Sequence, residues 1–301
     1  MGQQGLQNGW TVIGGAVVHQ NHFDVRAAFD NVGTPVEQRL TLVREVLKRP
    51  PDAPPDTRFI YSNQNFAVAG ALIAVLAGAK IFAFIATLWG GLMREAGTSR
   101  PDRDRFVLCK GHAALALYAA MRHTGRMTEE ALATYCADGT HLGVHPEACL
   151  EGIDVATGSL GQGLSVACGL AHGLRLRKSP ARVFALLSDA ECNEGQVWEA
   201  AQFAAHHGLS HLTAIIDLNG SQALGPTREV INLSPMAERW EAFGWEAVEV
   251  DGHDNAQLAQ ALAPRGIGKP RVVVARTMLG KGVKYMEGQV AWHYLSMSAQ
   301  Q

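Results

Sequence analysis

Short apolar runs alternate with helical patterns through most of this chain, and the alternation limits the folds that it can adopt. Four runs have strand length: 183–187, 212–216, 247–250 and 271–275. The helical patterns lie at 162–177, 196–207, 235–243 and 255–262. Strands and helices in this order predict an α/β fold of three layers, α/β/α, with a mostly parallel sheet. Ligands of such sheets bind beyond the carboxyl ends of the strands, so functional residues are expected just after each run.

The composition is that of a globular protein without a strong charge. The 301 residues carry a formal net charge of −2, which provides no basic field to attract nucleic acid. None of the five cysteines forms a C-x-x-C pair, and an odd number argues against a disulfide framework. The first residues lack the pattern of a signal peptide. We therefore expect a reduced, cytoplasmic protein that binds no nucleic acid.

One apolar segment, from Phe66 to Met93, fits two interpretations. It is almost wholly apolar and has the length of a membrane span. Lys80 lies near its middle, where a cation is costly in lipid, and glycines divide it into two pieces of core-helix length. The sequence therefore favours two buried helices and no membrane contact, with a membrane span as the alternative.

Polar residues follow two consecutive apolar runs. Asp189 comes just after the run at 183–187, and Asn219 follows the run at 212–216. One helical pattern separates them, so they fall at equivalent strand ends of one βαβ unit. A carboxylate, an amide oxygen and a main-chain carbonyl form a hard oxygen set that suits Mg²⁺. In the alternative interpretation, Asp189 caps a helix and Asn219–Gly220 forms an ordinary turn.

The segment from Asp189 to Asn219 resembles the thiamin diphosphate motif of transketolases, which reads G-D-G followed at a distance by Asn. Ser188 and Ala190 replace the two glycines. Other blocks are similar to the family's and occur in its order: D-R-F-V-L-C-K-G-H-A at 104–113, G-V-H-P-E at 143–147, T-G-S-L-G-Q-G at 157–163, D-G-H-D at 251–254, G-K-G-V at 280–283 and W-H at 292–293. The resemblance covers the chain from about residue 79 onward.

This resemblance implies a set of residues that hold thiamin diphosphate and a divalent metal. Asp189 and Asn219 would ligate the metal with their side chains, and Ser221 with its carbonyl. The metal would be Mg²⁺, or another divalent cation such as Ca²⁺ or Mn²⁺. The implied cofactor-binding residues are Gly158, Ser159, Leu160, Asp189, Ala190, Glu194 and Asn219. The glycines at 158–163 precede a helical pattern, where backbone N–H groups can approach a ligand closely.

Three of the twelve histidines, in the blocks at 104–113, 143–147 and 292–293, are candidate catalytic residues. They are His112, His145 and His293, and the resemblance implies that they line the substrate channel as catalytic residues. Imidazole suits this role because it donates or accepts a proton near neutral pH. The remaining histidines, including the pair His206–His207, are expected to be surface or structural residues.

The activity implied is transfer of a two-carbon ketol unit between sugar phosphates. In the family a second, pyrimidine-binding domain completes the cofactor site, and split forms carry it on a separate subunit. We therefore expect that subunit as a partner, in a homo- or hetero-oligomer. Glu194 and Glu199 fit either the interface with that domain or the start of a helix, where the dipole favours carboxylates. Alternatives are a catalytically inactive binding or assembly subunit and another thiamin diphosphate enzyme, such as deoxyxylulose-phosphate synthase.

Residues 1–78 are expected to form an irregular appendage to a domain at 79–301. Residues from about 9 to 75 resemble a fragment of the serine β-lactamase and penicillin-binding-protein superfamily, with Tyr61-Ser62-Asn63 as the Tyr-x-Asn motif. Ser62 is the sole serine of the first 78 residues, so that enzyme's nucleophile is missing. Transketolases also carry a histidine upstream of the K-G-H block, whereas no histidine stands between residues 23 and 111 here. The pattern indicates a join of two unrelated fragments.

Overall fold

Five parallel strands form the central sheet of the protein in a computed structural model that describes residues 10–13, 16–19, 80–264, 268–281 and 284–290. In chain order the strands are β1 (Trp10–Ile13), β2 (Ala16–His19), β3 (Arg105–Leu108), β4 (Val183–Ser188), β5 (Leu212–Leu218), β6 (Ser221–Gln222), β7 (Gly225–Pro226), β8 (Glu246–Asp251) and β9 (Arg271–Arg276). The sheet order is β3-β4-β5-β9-β8. The pairs β1–β2 and β6–β7 are separate antiparallel hairpins.

Helices cover both faces of this sheet. They are α1 (Lys80–Thr87), α2 (Ala114–His123), α3 (Glu129–Leu132), α4 (Gly163–Leu176), α5 (Gly195–His206), α6 (Thr227–Val230), α7 (Met236–Ala242) and α8 (Asn255–Leu262). A π-helical turn, Leu88–Leu92, follows α1. Two 3₁₀ turns, Gly111–Ala113 and Ala190–Asn193, follow β3 and β4. Both 3₁₀ turns therefore stand at the carboxyl edge of the sheet.

Alternate side chains of the strands enter two separate hydrophobic cores. In β4, Phe184 and Leu186 pack in the core that contains buried residues of α1, α2 and α8. Ala185 and Leu187 pack in the other core, with α4, α5 and α7. A strand buried on both faces reads as a continuous apolar run, which is how 183–187 appears in the sequence. The predicted three-layer α/β/α fold is confirmed.

The predicted elements from residue 162 onward correspond closely to the observed ones. Each of the four predicted strands and four predicted helices is present, with ends shifted by at most two residues. The strand β3 was not among the predicted runs, because only three apolar residues lie between Arg105 and Cys109. It nevertheless forms the edge of the sheet beside β4.

The apolar segment at 66–93 enters the described structure only at residue 80. From there, α1 and the π-helical turn place Phe84, Ile85, Leu88 and Trp89 in the protein core. In the part of the chain that is described, none of the helices has both the length and the apolar character needed to span a bilayer. The appendage predicted at 1–78, with its resemblance to a β-lactamase fragment, lies outside the described residues apart from β1 and β2.

Helix α4 begins directly against β3, and this contact requires a glycine. A Cβ atom at Gly163 would stand 2.6 Å from the Cβ and Sγ atoms of Cys109, whereas one at Gly169 would have no neighbour within 4 Å. We expect Gly163→Ala to lower the free energy of unfolding by about 1–3 kcal/mol through overpacking. Gly169→Ala should raise it by about 0.5–1 kcal/mol because alanine favours the helix. Urea unfolding of both variants tests this, and equal effects of the two substitutions would contradict it.

Candidate functional site

Polar residues meet at the carboxyl edge of the sheet, where β3, β4, β5 and β9 end side by side. They are Lys110 after β3, Asp189 after β4, Asp217 and Asn219 at the end of β5, and Thr277 after β9. The sequence predicted functional residues at this edge because ligands of parallel sheets bind there. Each chain segment arrives from a separate βα unit, so the fold brings together residues that are distant in sequence.

Asp189 is buried, with 2% of its surface exposed. Its Oδ2 atom accepts hydrogen bonds from the Gly220 N–H at 2.9 Å and from the Thr227 hydroxyl at 3.2 Å. Its Oδ1 atom is buried and has no hydrogen-bond partner among the described residues. Burial, followed by the charge of Asp217, raises the pKa of Asp189 to about 6. An unpartnered buried carboxylate oxygen is costly unless a cation or a donor occupies the space in front of it.

Asn219 is half-buried in the turn that follows β5. Its Oδ1 atom accepts a hydrogen bond from the Ser221 N–H at 2.9 Å, which is the contact of an Asx turn. Gly220, between them, has a φ of +72° and needs no side chain there. Asp189 makes no side-chain capping bond to the 3₁₀ turn that it precedes. The structure therefore supports the turn interpretation of Asn219. It does not support the interpretation of Asp189 as a helix cap.

The glycine-rich loop at 158–163 lies against residues of three other segments. A Cβ atom at Gly158 would stand 2.9 Å from the His145 ring, and one at Gly161 would stand 2.6 Å from the Glu194 Cβ. The Gly161 N–H donates to Glu191 at 2.9 Å. Close approach of backbone to side chains thus explains the glycines physically. Ser159, Leu160 and Gln162 are the exposed residues of this loop.

The remaining predicted site residues occupy distinct places around this loop. Ser159 and Leu160 are exposed, as is Glu194 at the start of α5. Ala190 opens the 3₁₀ turn after Asp189. Ser221 begins β6, directly after the turn at Asn219 and Gly220. Glu199 is exposed on α5.

Two of the three predicted catalytic histidines are described, and both are half-buried. His112 lies in the 3₁₀ turn after β3, where a Cβ at Gly111 would stand 2.5 Å from the Thr157 carbonyl oxygen. His145 packs against Gly158, and the Tyr118 hydroxyl donates to its carbonyl at 3.1 Å. Burial lowers the pKa of His145, with Glu147 acting in the opposite direction, and the shift favours the neutral form of its ring. His293 lies outside the described residues.

Four polar residues of this edge, three of them buried and one half-buried, were absent from the predicted set. They are Lys110, Glu191, Asp217 and Thr277. The Lys110 Nζ atom lies 2.5 Å from the Asp217 Oδ2 atom, and both side chains are almost fully buried. The Thr277 hydroxyl donates to the other oxygen of Asp217. For Lys110 and Asp217, the sequence signal that could have found them is a charged residue at the end of an apolar strand.

Glu191 is fully buried beneath the glycine-rich loop. Its Oε1 atom accepts the Gly161 N–H, while its Oε2 atom has no hydrogen-bond partner within the described ranges. Burial raises the pKa of this carboxyl group to about 7. Glu191 therefore fastens the loop to the segment that carries Asp189.

Replacement of Glu191 by methionine should loosen the loop. Methionine is of similar length but cannot accept the Gly161 N–H, so we expect hydrogen exchange at that amide to accelerate by about tenfold or more. Glutamine at the same position keeps a carbonyl acceptor and should leave the exchange rate close to that of the wild type. Amide exchange measured by mass spectrometry over 157–164 checks this. Equal acceleration in both variants would mean that the carboxyl oxygen does not hold the loop.

The residues present fit the cofactor and metal that the sequence resemblance implies. The unpartnered Asp189 oxygen faces no donor among the described residues, and a divalent cation would satisfy it. No group of three His, Cys, Asp or Glu side chains within the described ranges could hold a metal. A cation here would therefore depend on one carboxylate together with amide, main-chain and cofactor oxygens, a set suited to Mg²⁺.

Comparisons with known proteins agree with this arrangement. Transketolase-like protein 2 of Bos taurus is 44% identical over 205 residues, which are 66% of this chain and 32% of that protein. The 6-deoxy-6-sulfo-D-fructose transketolase subunit SqwG of Clostridium sp. (strain MSTE9) is 41% identical over 201 residues, 66% of this chain and 73% of the subunit. The crystal structure of transketolase from Campylobacter jejuni subsp. jejuni NCTC 11168 superposes with a TM-score of 0.66 at 25% identity, covering 77% of this chain and 39% of that one.

The matching region is thus a part of the longer relatives, since this chain spans about a third of the bovine protein. Residues 77–301 match the family described as transketolase, thiamine diphosphate binding domain. This match covers most of the chain, including every strand of the parallel sheet. The chain therefore belongs to the transketolase family through its thiamine diphosphate binding domain.

Proposed function

We propose that this protein is the diphosphate-binding subunit of a transketolase that transfers a two-carbon ketol unit between sugar phosphates. The observation that carries the proposal is the buried Asp189, whose Oδ1 atom lacks a partner among the described residues at the carboxyl edge of the sheet. A metal bound there would link the protein to a diphosphate, because Mg²⁺ is commonly held by one or two carboxylates and by phosphate oxygens.

Each predicted site residue then has a task. Asp189, Asn219 and the Ser221 carbonyl hold Mg²⁺, and Ca²⁺ or Mn²⁺ could replace it. Asn219 would turn its amide oxygen from the Ser221 N–H to the metal, or share it between them. The loop of Gly158, Ser159 and Leu160 would contact the thiamin. Ala190 and Glu194, which lie beside this loop, would also contact the cofactor. When bound, thiamin diphosphate supplies the nucleophilic carbon and the electron sink for cleavage of a carbon–carbon bond.

The histidines act on the substrate. His112 and His145 stand beside the glycine-rich loop, where an imidazole can orient sugar hydroxyl groups and move a proton. Burial holds the pKa of His145 below the ordinary value, which favours the neutral imidazole that a general base requires. His293 is proposed for the same channel on the sequence resemblance alone.

A partner subunit with the pyrimidine-binding domain would complete the enzyme. Support comes from SqwG, which is named as a transketolase subunit and of which this chain covers 73%. Glu194 and Glu199 are exposed on the outer side of the loop and of α5, where a second domain could contact them. All five cysteines are free, which agrees with a reducing, cytoplasmic setting.

Calorimetric titration and an activity assay test this proposal together. Thiamin diphosphate is titrated into the purified full chain with Mg²⁺ and again with a chelator, and binding is expected only with the metal. A candidate pyrimidine-domain subunit is then added, and ketol transfer between a ketose phosphate and an aldose phosphate is followed. Binding without transfer would favour the inactive binding subunit. Carbon–carbon bond formation with pyruvate, supplied as the donor in place of the ketose phosphate, would favour another thiamin diphosphate enzyme. Absence of metal-dependent binding by a folded chain would refute the site.

A further inference from the structure

The Lys110 side chain crosses the end of β4 to reach its partner. Cys109 continues the pairing of β3 by donating its N–H to Leu186, so Lys110 stands level with Ser188, and Ser188 pairs with Asp217. The strand order is β3-β4-β5, and neighbouring strands lie about 4.8 Å apart, so Lys110 and Asp217 start two strand spacings apart. The ammonium group nevertheless lies 2.5 Å from Asp217. It therefore passes the strand that leads into Asp189.

Asp217 is held firmly in place to receive this ammonium group. Its Oδ2 atom pairs with Lys110, and its Oδ1 atom accepts the Thr277 hydroxyl. Its carbonyl accepts the Asp189 N–H at 3.3 Å, so the backbones at the two aspartates are in direct contact. Asp217 and Lys110 are 4% and 3% exposed. The pair is thus a buried ion pair that adjoins the proposed metal ligand.

Around Asp189, the described part of the chain holds more buried acidic groups than buried basic ones. Three buried carboxyl groups, those of Asp189, Glu191 and Asp217, share one buried ammonium group. The ammonium group lies 2.5 Å from Asp217, whose backbone carbonyl is hydrogen-bonded to the Asp189 N–H. Two buried carboxyl oxygens of this edge, Asp189 Oδ1 and Glu191 Oε2, have no hydrogen-bond partner among the described residues, so an ammonium group released by Asp217 would have both as acceptors. Asp189 directly follows the strand that the Lys110 side chain crosses.

We infer that Asp217 is a positioning residue that keeps the Lys110 ammonium group away from Asp189 and so leaves the Asp189 carboxylate available to a divalent cation. The inference rests on the proposed metal site. It assigns Asp217 and Lys110 no contact with the metal. Their effect is on metal affinity, because a buried cation that moved to Asp189 would occupy the metal's place and repel its charge.

Metal binding by an Asp217→Asn variant tests the inference. Asparagine keeps the shape and an oxygen for the Thr277 hydroxyl but loses the charge that holds Lys110. With Mn²⁺ as the probe and thiamin diphosphate in excess, free Mn²⁺ is counted by electron paramagnetic resonance. We expect the affinity to fall by about 10–100-fold, the range common for residues behind a metal ligand. Replacing Lys110 by methionine in the same protein should restore most of the lost affinity, since the competing ammonium group is gone.

The rescue separates this role from a merely structural one. Two results would overturn the inference. One is that the double variant Asp217→Asn, Lys110→Met binds Mn²⁺ no more tightly than Asp217→Asn alone. The other is that Asp217→Asn binds Mn²⁺ as tightly as the wild type. Lys110→Met alone covers the case in which Asp217→Asn does not fold, as judged by circular dichroism. It should bind Mn²⁺ at least as tightly as the wild type, and weaker binding would count against the inference. Glu249→Gln, in an exposed ion pair with Arg276, is the control for charge removal. Failure of the wild type itself to bind Mn²⁺ would instead refute the proposed metal site.

Discussion

An Asp189→Ala variant should lose metal-dependent binding of thiamin diphosphate, with the affinity falling by at least about 100-fold, or roughly 2.7 kcal/mol. The proposed metal has two side-chain ligands, and Asp189 supplies the one that is charged. Its Oδ1 atom is already buried and unpartnered within the described structure. The free-energy cost of removing this oxygen from water therefore arises on folding, and metal binding does not add it again. Calorimetric titration of the cofactor with Mg²⁺ present measures the loss.

Alanine also removes the acceptor of the Gly220 N–H and the Thr227 hydroxyl, so a second variant is needed. Asp189→Asn retains an oxygen for those two donors and presents an NH₂ group in place of the other oxygen. We expect it to fold like the wild type and to bind the cofactor as weakly as the alanine variant. Thr227→Val removes one hydrogen bond but no ligand, and it should cost much less affinity. If the Asp189→Asn variant still bound thiamin diphosphate tightly and only with Mg²⁺ present, the metal would not depend on the Asp189 carboxylate as a ligand.

The sequence was sufficient to predict the central part of the fold. The run at 183–187 is apolar at every position because both faces of β4 are buried, and helical patterns on either side of it determine the parallel order. Asp189 could be located at the edge of the sheet for the same reason, since a charged residue directly after a buried strand marks the strand end. The resemblance to transketolases added the proposed identity of the metal ligands, which the pattern alone left open.

Other features of the site depend on distant contacts. Lys110 and Asp217 are 107 positions apart, and no local pattern indicates that one pairs with the other across β4. Glu191 resembles any acidic residue at a helix start, yet folding buries it under Gly161. The contact between Gly158 and the His145 ring joins two sequence blocks that periodicity treats separately. These relations follow from the packing of strands and loops, so they became visible only in the structure.

The amino ends of the strands form the edge of the sheet opposite the proposed site, and a buried aspartate holds two of them together. Asp104 directly precedes β3 and is fully buried. Its two oxygens accept hydrogen bonds from the main-chain N–H and the guanidinium group of both Arg94 and Arg182. Arg182 directly precedes β4, so Asp104 joins the starts of two neighbouring strands.

Asp104→Asn should therefore lower the free energy of unfolding by about 3 kcal/mol or more, because it leaves two guanidinium groups without their buried counter-charge. Burial alone would raise the pKa of Asp104, but the hydrogen bonds from Arg182 and Arg94 outweigh it and hold the pKa below the ordinary value of 3.8. The stabilisation is thus present above that value and is lost as the pH falls through the lower pKa of the folded state. Urea unfolding at neutral and acidic pH measures both effects, and the variant should lose less stability on acidification than the wild type. Glu249→Gln breaks an exposed ion pair and should cost less than about 1 kcal/mol, so a similar cost for the two variants would contradict the role assigned to Asp104.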